Sequence, residues 1–225
     1  MRVKIFANKD SFFTRPLIFR IVNSFPKNTS FYIHYESLSL NRKLKSIAVL
    51  FLFSPFFQFI KIFFKKKNKY INRINKINKD YDDDFGDYDL GIIINYPKLL
   101  KLPKFPLYNF HLGNLENQRG SFIYFYQFLY GWKKINLSFY KLTHERFDVG
   151  ILINTITFNC YKKSALDTLL LYENNVNFIK KSIYQIRKKK FFKLKKNYIY
   201  GKLNVSPSWY LIFRTFLISK IIKIK

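Results

Sequence analysis

Short apolar runs alternate along the chain with longer segments of helical spacing. Val3 to Ala7 is a β-type run closed by the turn formers Asn8, Lys9 and Asp10. Arg15 to Ser24 opens with Pro16 and sets apolar residues at 17, 18, 21 and 22, the spacing of one helix face. Phe31 to Tyr35, FYIHY, reads again as a strand. Strands alternating with longer helices predict a mostly parallel α/β sheet flanked by helices, a Rossmann-like fold class.

The most apolar stretch follows, Ser46 to Lys69. Ile47 to Ile60 holds 14 residues without a charge, interrupted by Pro55 and Gln58 and closed by Lys61. A membrane-spanning helix needs roughly 20 apolar residues, so the pattern predicts a buried helix followed by a basic amphipathic one, with membrane-surface contact through 47–64 as the sharper alternative. Asn78 to Asp89 gathers Asp80, Asp82, Asp83, Asp84, Asp87 and Asp89. Counted from Asp80 it has Phe85, not glycine, at the sixth position of a calcium loop and no terminal glutamate, and it reads as a solvated loop without a metal.

Leu90 to Ile94 has the continuous apolar character of a central strand buried on both faces. Gly120 to Gly131 predicts a helix with aromatics around most of its circumference, packed on both sides. Lys134 to Thr143 alternates as a strand, HERFDVG turns, and Ile151 to Phe158 is a further strand. From Ser164 the pattern is helical and basic, which divides the chain into 1–163, a catalytic domain, and 164–225, a helical basic C-terminal extension ending in an apolar helix with a cationic tail.

Composition changes the picture in two places. The 225 residues, 48% of them hydrophobic, suffice for one well-buried core. The 41 Lys plus Arg against 13 Asp plus Glu give a net charge of +28. Such a charge points to nucleic acid or an anionic membrane. Asn, Ile, Phe and Tyr rise together with Lys, however, as A/T-rich codons would make them, so the charge is read chiefly as codon bias. The lysine runs at 65–67, 188–190 and 195–196 read as solvated faces, or more sharply as peripheral adhesion to an anionic membrane. Cys160 is the only cysteine, which rules out an intrachain disulfide and fits a reducing cytoplasm. The N-terminus carries a charge within its apolar run and does not read as a signal peptide.

The candidate chemistry lies in LYNFHLGNLENQRGSF, Leu107 to Phe122. Asn109 and His111 are two apart, so an extended segment presents both on one side. A turn carrying Asp148 can fold back over them and orient the imidazole. Such a trio can stabilise a tetrahedral oxyanion and move one proton, the requirements of acyl transfer to an amine. His34 on an apolar strand and His144 in a turn have no such company and read as structural.

The succession NFHLGNLENQRGS, a helix, a strand and HERFDVGILI resembles the folate-dependent formyltransferases, whose shared pattern is Asn-x-His, an Arg-Gly a few residues on, and a later Asp-x-Gly leading into a strand. Methionyl-tRNA formyltransferase, glycinamide ribonucleotide formyltransferase and the sugar N-formyltransferases belong to that family. The likeness is good from Asp89 to Phe158. It implies that Asn109 and His111 bind the formyl oxygen, that Asp148 holds the histidine and helps remove the amine proton, and that the one-carbon donor is 10-formyltetrahydrofolate. It further implies a pterin pocket between Tyr96, Pro97, Leu99 and Leu100 on one side and Thr143, His144, Glu145, Arg146 and Phe147 on the other.

The departures narrow the acceptor. HLGNLE stands where many relatives have His-Pro-Ser-Leu-Leu-Pro, a variant closest to members associated with surface polysaccharides. ANKDSFF has no glycine-rich phosphate loop, and the residues after Ser164 do not read as the barrel of the tRNA enzyme. The resemblance therefore implies a nucleotide-linked amino sugar or another small amine as acceptor. The competing expectation is a catalytically inactive basic module that binds nucleic acid or membrane; it predicts that Asn109, His111 and Asp148 point to different surfaces.

Overall fold

The computed structural model describes residues 1–11, 14–58, 87–98, 100–146, 148–188 and 200–222. Its elements run β1 (Arg2–Asn8), α1 (Thr14–Val22), β2 (Ser30–Glu36), α2 (Leu40–Leu52), β3 (Leu90–Ile94), β4 (Leu107–Leu112), β5 (Arg119–Gly120), α3 (Ile123–Leu129), β6 (Lys134–Leu142), β7 (Gly150–Asn159), α4 (Ala165–Leu169), α5 (Leu171–Asn174), α6 (Val176–Arg187), β8 (Leu203–Asn204) and α7 (Trp209–Ile222). The main sheet has the order β2-β1-β3-β4-β6-β7. β2, β1, β3 and β4 pair in parallel, and β6 alone runs the other way, pairing antiparallel with both β4 and β7. This is the mostly parallel, helix-flanked sheet that the strand and helix alternation predicts.

Strand alternation sorts residues between the two faces. Ile5, Ile92, Ile94, Tyr108 and Phe110 join one core with Leu17, Ile18 and Ile21 of α1 and Phe178, Ile179, Ile183 and Ile186 of α6. Each such buried side chain stabilises the fold by about 1.5–3 kcal/mol. Phe6, Ile93, Phe105 and Leu107 form a second core on the opposite face. A third joins Val49 and Leu50 of α2, Phe125 of α3, Leu166 of α4 and Ile212 of α7. Residues after Ser164 therefore take part in the same cores as the sheet, and β8 pairs in parallel with β5. Ser164 starts α4 through a capping box, its hydroxyl accepting from the Asp167 amide at 3.0 Å.

The apolar segment after Ser46 differs from its expectation. α2 begins earlier, at Leu40, and ends at Leu52 before Pro55. Only Val49 and Leu50 of this helix are buried, while Leu44, Ile47 and Phe51 are exposed. Leu40, Leu44, Ile47 and Phe51 recur at helical spacing on its exposed side, so α2 is half-buried. The basic helix expected beyond it, Asp80 to Asp84, and the lysine runs at 65–67, 189–190 and 195–196 lie outside the described residues. Among the described residues no helix is long and apolar enough to cross a membrane.

Candidate active site

The carboxyl ends of β1, β3 and β4 open into a cavity of about 660 Å³, lined among others by Asn8, Asn95, Asn109 and His111. Crevices at the carboxyl ends of parallel strands are the usual ligand sites of open α/β sheets. β3 is buried along its whole length, which fixes the level at which β4 delivers its side chains. Asn109 stands opposite Tyr140 and His111 opposite Ser138 on β6.

Asp148 comes back over these residues from the turn between β6 and β7. Its carboxylate Oδ1 accepts the Tyr140 phenol at 2.7 Å. His111 Nδ1 lies 3.4 Å from the same oxygen and Asn109 Nδ2 3.5 Å from it. Asn109 Nδ2 also donates to Tyr140 Oη at 2.7 Å. Asp148 Oδ2 accepts the Gly120 amide at 2.5 Å. The structure thus brings Asn109, His111 and Asp148 together, with His111 and Asp148 buried.

The Arg-Gly pair holds Asp148 in place. Asp148 has φ +53°, a left-handed conformation that costs a non-glycine residue about 1–2 kcal/mol. Arg119 Nε donates to the Asp148 carbonyl at 3.2 Å and Arg119 Nη1 to the Gly201 carbonyl at 2.6 Å. Gly120, at φ +97°, lies so close to the Asn204 carbonyl that a Cβ there has no room. The pair therefore joins the catalytic-looking turn to the strap that carries β8.

His111 Nε2 lies 2.7 Å from the Gln118 carbonyl. The cause is the turn at Gly113, whose φ of +128° folds Gln118 back onto the ring; a Cβ on Gly113 would run into that same carbonyl. A carbonyl and a carboxylate only accept, so either ring nitrogen donates to its neighbour when it carries the proton.

Of the residues expected around a pterin, Tyr96, Pro97, Leu100, Glu145 and Arg146 line the cavity. Thr143 and His144 do not: the Thr143 amide turns back to Val149 O at 3.4 Å, and His144 stands exposed on the outside of that turn. Leu99 and Phe147 lie outside the described residues. His34 rests half-buried among Phe6, Tyr96 and Glu36. Cys160 is buried away from the cavity, its thiol donating to Trp132 O at 2.9 Å and pushed up by burial, so it remains a protonated packing residue. Among the described residues no group of three or more His, Cys, Asp and Glu is arranged to hold a metal.

Sequence reading missed Tyr140 and Gln118. Tyr140 is fully buried, and only the antiparallel register opposite Asn109 reveals it. No spacing rule marks Gln118, because its backbone does the work.

No family model matches the sequence, and no curated protein matches it. Solved structures do match in three dimensions. An N-formyltransferase from Helicobacter canadensis, solved with folinic acid and dTDP-3-aminofucose, superposes with a TM-score of 0.57 over 98% of this chain and 81% of its own, at 14% identity. A 4-N formyltransferase from Francisella tularensis gives 0.56 over 90% and 76%, at 21% identity. HypX from Aquifex aeolicus gives 0.54 over 94% of this chain at 13% identity, and this chain spans 31% of HypX. At these identities the likeness establishes a shared fold.

Proposed function

We propose that the protein transfers a formyl group from 10-formyltetrahydrofolate to the primary amine of a small acceptor, a nucleotide-linked amino sugar of the kind used in surface polysaccharides. The observation that carries this reading is the convergence of Asn109, His111 and Tyr140 on one oxygen of Asp148 at the wall of one cavity. A binding module that had lost the chemistry has no use for such convergence. The fold shared with N-formyltransferases, one of them holding a folate and an amino sugar nucleotide, supports the same reading.

The wall suits the donor. Tyr96, Pro97 and Leu100 offer apolar surface to a planar ring, and Asn109 Oδ1 is buried without a hydrogen-bond partner. The folate supplies a formyl carbon on nitrogen. Around that carbon, the second N–H of Asn109, held only at 3.5 Å by Asp148, donates to the formyl oxygen, while Asn109 Oδ1 accepts an N–H of the incoming amine. His111, held between the Gln118 carbonyl and Asp148, keeps the carboxylate in place as the amine attacks and the carbonyl oxygen becomes an oxyanion that the Asn109 N–H stabilises. Asp148 receives the amine proton, directly or through water. As the new C–N bond forms and the old one breaks, that proton returns to the folate nitrogen, which leaves as an amine.

A peripheral contact with anionic membrane belongs to the same reading, since acceptors of polysaccharide pathways include lipid-linked ones. It is supported by α7, which exposes Tyr210, Phe213, Leu217 and Ile221 and carries Arg214 and Lys220. Calorimetric titration with 5-formyltetrahydrofolate tests the donor assignment: one site per chain, lost in Tyr96→Asp, is expected, and absence of binding contradicts it.

A further inference from the structure

Most buried polar side-chain atoms that lack a hydrogen-bond partner among the described residues line the same cavity. They are Thr14 Oγ1, Arg42 Nε, Asn109 Oδ1, Asn204 Nδ2 and Ser206 Oγ; only Thr29 Oγ1 and Gln185 Oε1 lie elsewhere. Each such atom costs about 1–3 kcal/mol, so their gathering on one wall points to partners supplied by a ligand. Asn109 belongs to the reacting centre. The other four adjoin it: Arg42 meets the Pro97 carbonyl at the edge of the donor pocket, and Asn204 abuts Gly120, whose amide holds Asp148.

Contacts of residues close to them in sequence bring the segments that carry the four to one end of α2. Asp10, from the loop before Thr14, accepts the Leu38 amide at 2.8 Å and pairs with Lys43 at 3.0 Å. On the other side Trp209, three residues beyond Ser206, donates to Asn41 at 3.2 Å. Arg42 is thus flanked by the loop leading to α1 and by the strap carrying Asn204 and Ser206. Thr14 is 1% exposed and Asn204 7%.

The charge at this end is unbalanced. Among the described residues Arg42 hydrogen-bonds the Pro97 carbonyl alone, at 3.4 Å. The carboxylates on the wall are engaged elsewhere: Asp10 by Lys43, Glu145 by the Leu102 amide, and Asp148 by Tyr140 and Gly120. Among the described residues Arg42 makes no ion pair, and a half-buried guanidinium in that state is a usual recognition group for a phosphate or carboxylate.

We propose that Arg42, Thr14, Asn204 and Ser206 form a subsite in which Arg42 binds a phosphate or carboxylate of the ligand, and the amide and hydroxyls bind its neutral oxygens. The anion is either the phosphate next to the sugar of the acceptor or the carboxylate tail of the folate. Assigning it to one of these rests on the formyl-transfer reading; the anion site itself does not.

Calorimetry with glucosamine 1-phosphate, glucosamine, inorganic phosphate and 5-formyltetrahydrofolate tests it on wild type, Arg42→Gln and Arg42→Lys, each checked for an unchanged melting temperature. If the acceptor supplies the anion, wild type binds the sugar phosphate about tenfold or more tighter than glucosamine, inorganic phosphate competes, and Arg42→Gln abolishes the preference while folate affinity stays. If the folate supplies it, Arg42→Gln weakens 5-formyltetrahydrofolate but not an analogue lacking the glutamate. In either case Arg42→Lys lies between, since it keeps the charge and loses the fork. Arg42-dependent phosphate binding without any folate binding upholds the subsite and removes formyl transfer. Equal affinities in wild type and Arg42→Gln for every probe, or no binding of any probe, overturn the proposal.

Discussion

Tyr140 donates its phenolic proton to Asp148 Oδ1 at 2.7 Å while accepting from Asn109 Nδ2 at the same distance. A single buried hydroxyl therefore couples the carboxylate to the amide on the neighbouring strand. Tyr140→Phe keeps the ring packing against Leu115 and Leu152 and removes this link. A melting temperature lowered by the loss of about 1–2 kcal/mol is expected, together with a formyl-transfer rate reduced about 10- to 100-fold. A rate equal to wild type would show that the amide needs no such anchor.

Gly120 has to be a glycine. Its φ of +97° and the closeness of the Asn204 carbonyl leave no place for a Cβ. Gly120→Ala is expected to separate β5 from β8 and to cost about 1–3 kcal/mol of stability in urea unfolding. An unchanged unfolding midpoint contradicts this account of the Arg-Gly pair.

Three buried tyrosines make the fold sensitive to alkali. Burial raises the hydroxyls of Tyr124, Tyr108 and Tyr126 above the ordinary tyrosine value, Tyr124 most of all. Between the unfolded value near 10 and the higher folded one, the native state holds protons that the unfolded state gives up. Their contribution is complete below about pH 10 and falls as pH rises further. Tyr124→Phe, which also gives up a 2.8 Å hydrogen bond to Ser46, is expected to flatten the alkaline limb of melting temperature against pH. An identical alkaline slope in the variant would exclude Tyr124 as its source.

Exposed apolar residues and cations on α7 give the membrane reading a direct check. Co-sedimentation with vesicles containing about a third phosphatidylserine is expected to pellet the protein at low salt, and Phe213→Asp with Leu217→Asp to release it. Binding lost through salt alone and untouched by the double variant would assign adhesion to the lysine runs instead.

The sheet was legible because its strands are short, apolar and bounded by turn residues; the expected bounds of β1, β2, β3, β6 and β7 agree with the observed ones to within two residues. α2 was not, since it starts at Leu40 among Asn41, Arg42 and Lys43 and holds only the first residues of the uncharged run from Ile47. Asn109, His111 and Asp148 could be read together because a motif preserves their order. The partner of His111 could not: the Gln118 carbonyl is backbone, and no side-chain pattern reports where it points. Tyr140 and Asn204 escaped for a related reason, as their place in the cavity depends on strand register and on a strap whose pairing partner, β5, is two residues long.

The central claim is formyl transfer by Asp148 and His111, and the most direct measurement is mass spectrometry of nucleotide-linked amino sugars incubated with 10-formyltetrahydrofolate and wild type, His111→Ala or Asp148→Asn. The account predicts that one amino sugar gains a single formyl group with wild type, and that both variants, folded by circular dichroism, lose it by about 100-fold or more. No gain on any acceptor, or a gain that both variants retain, would contradict it.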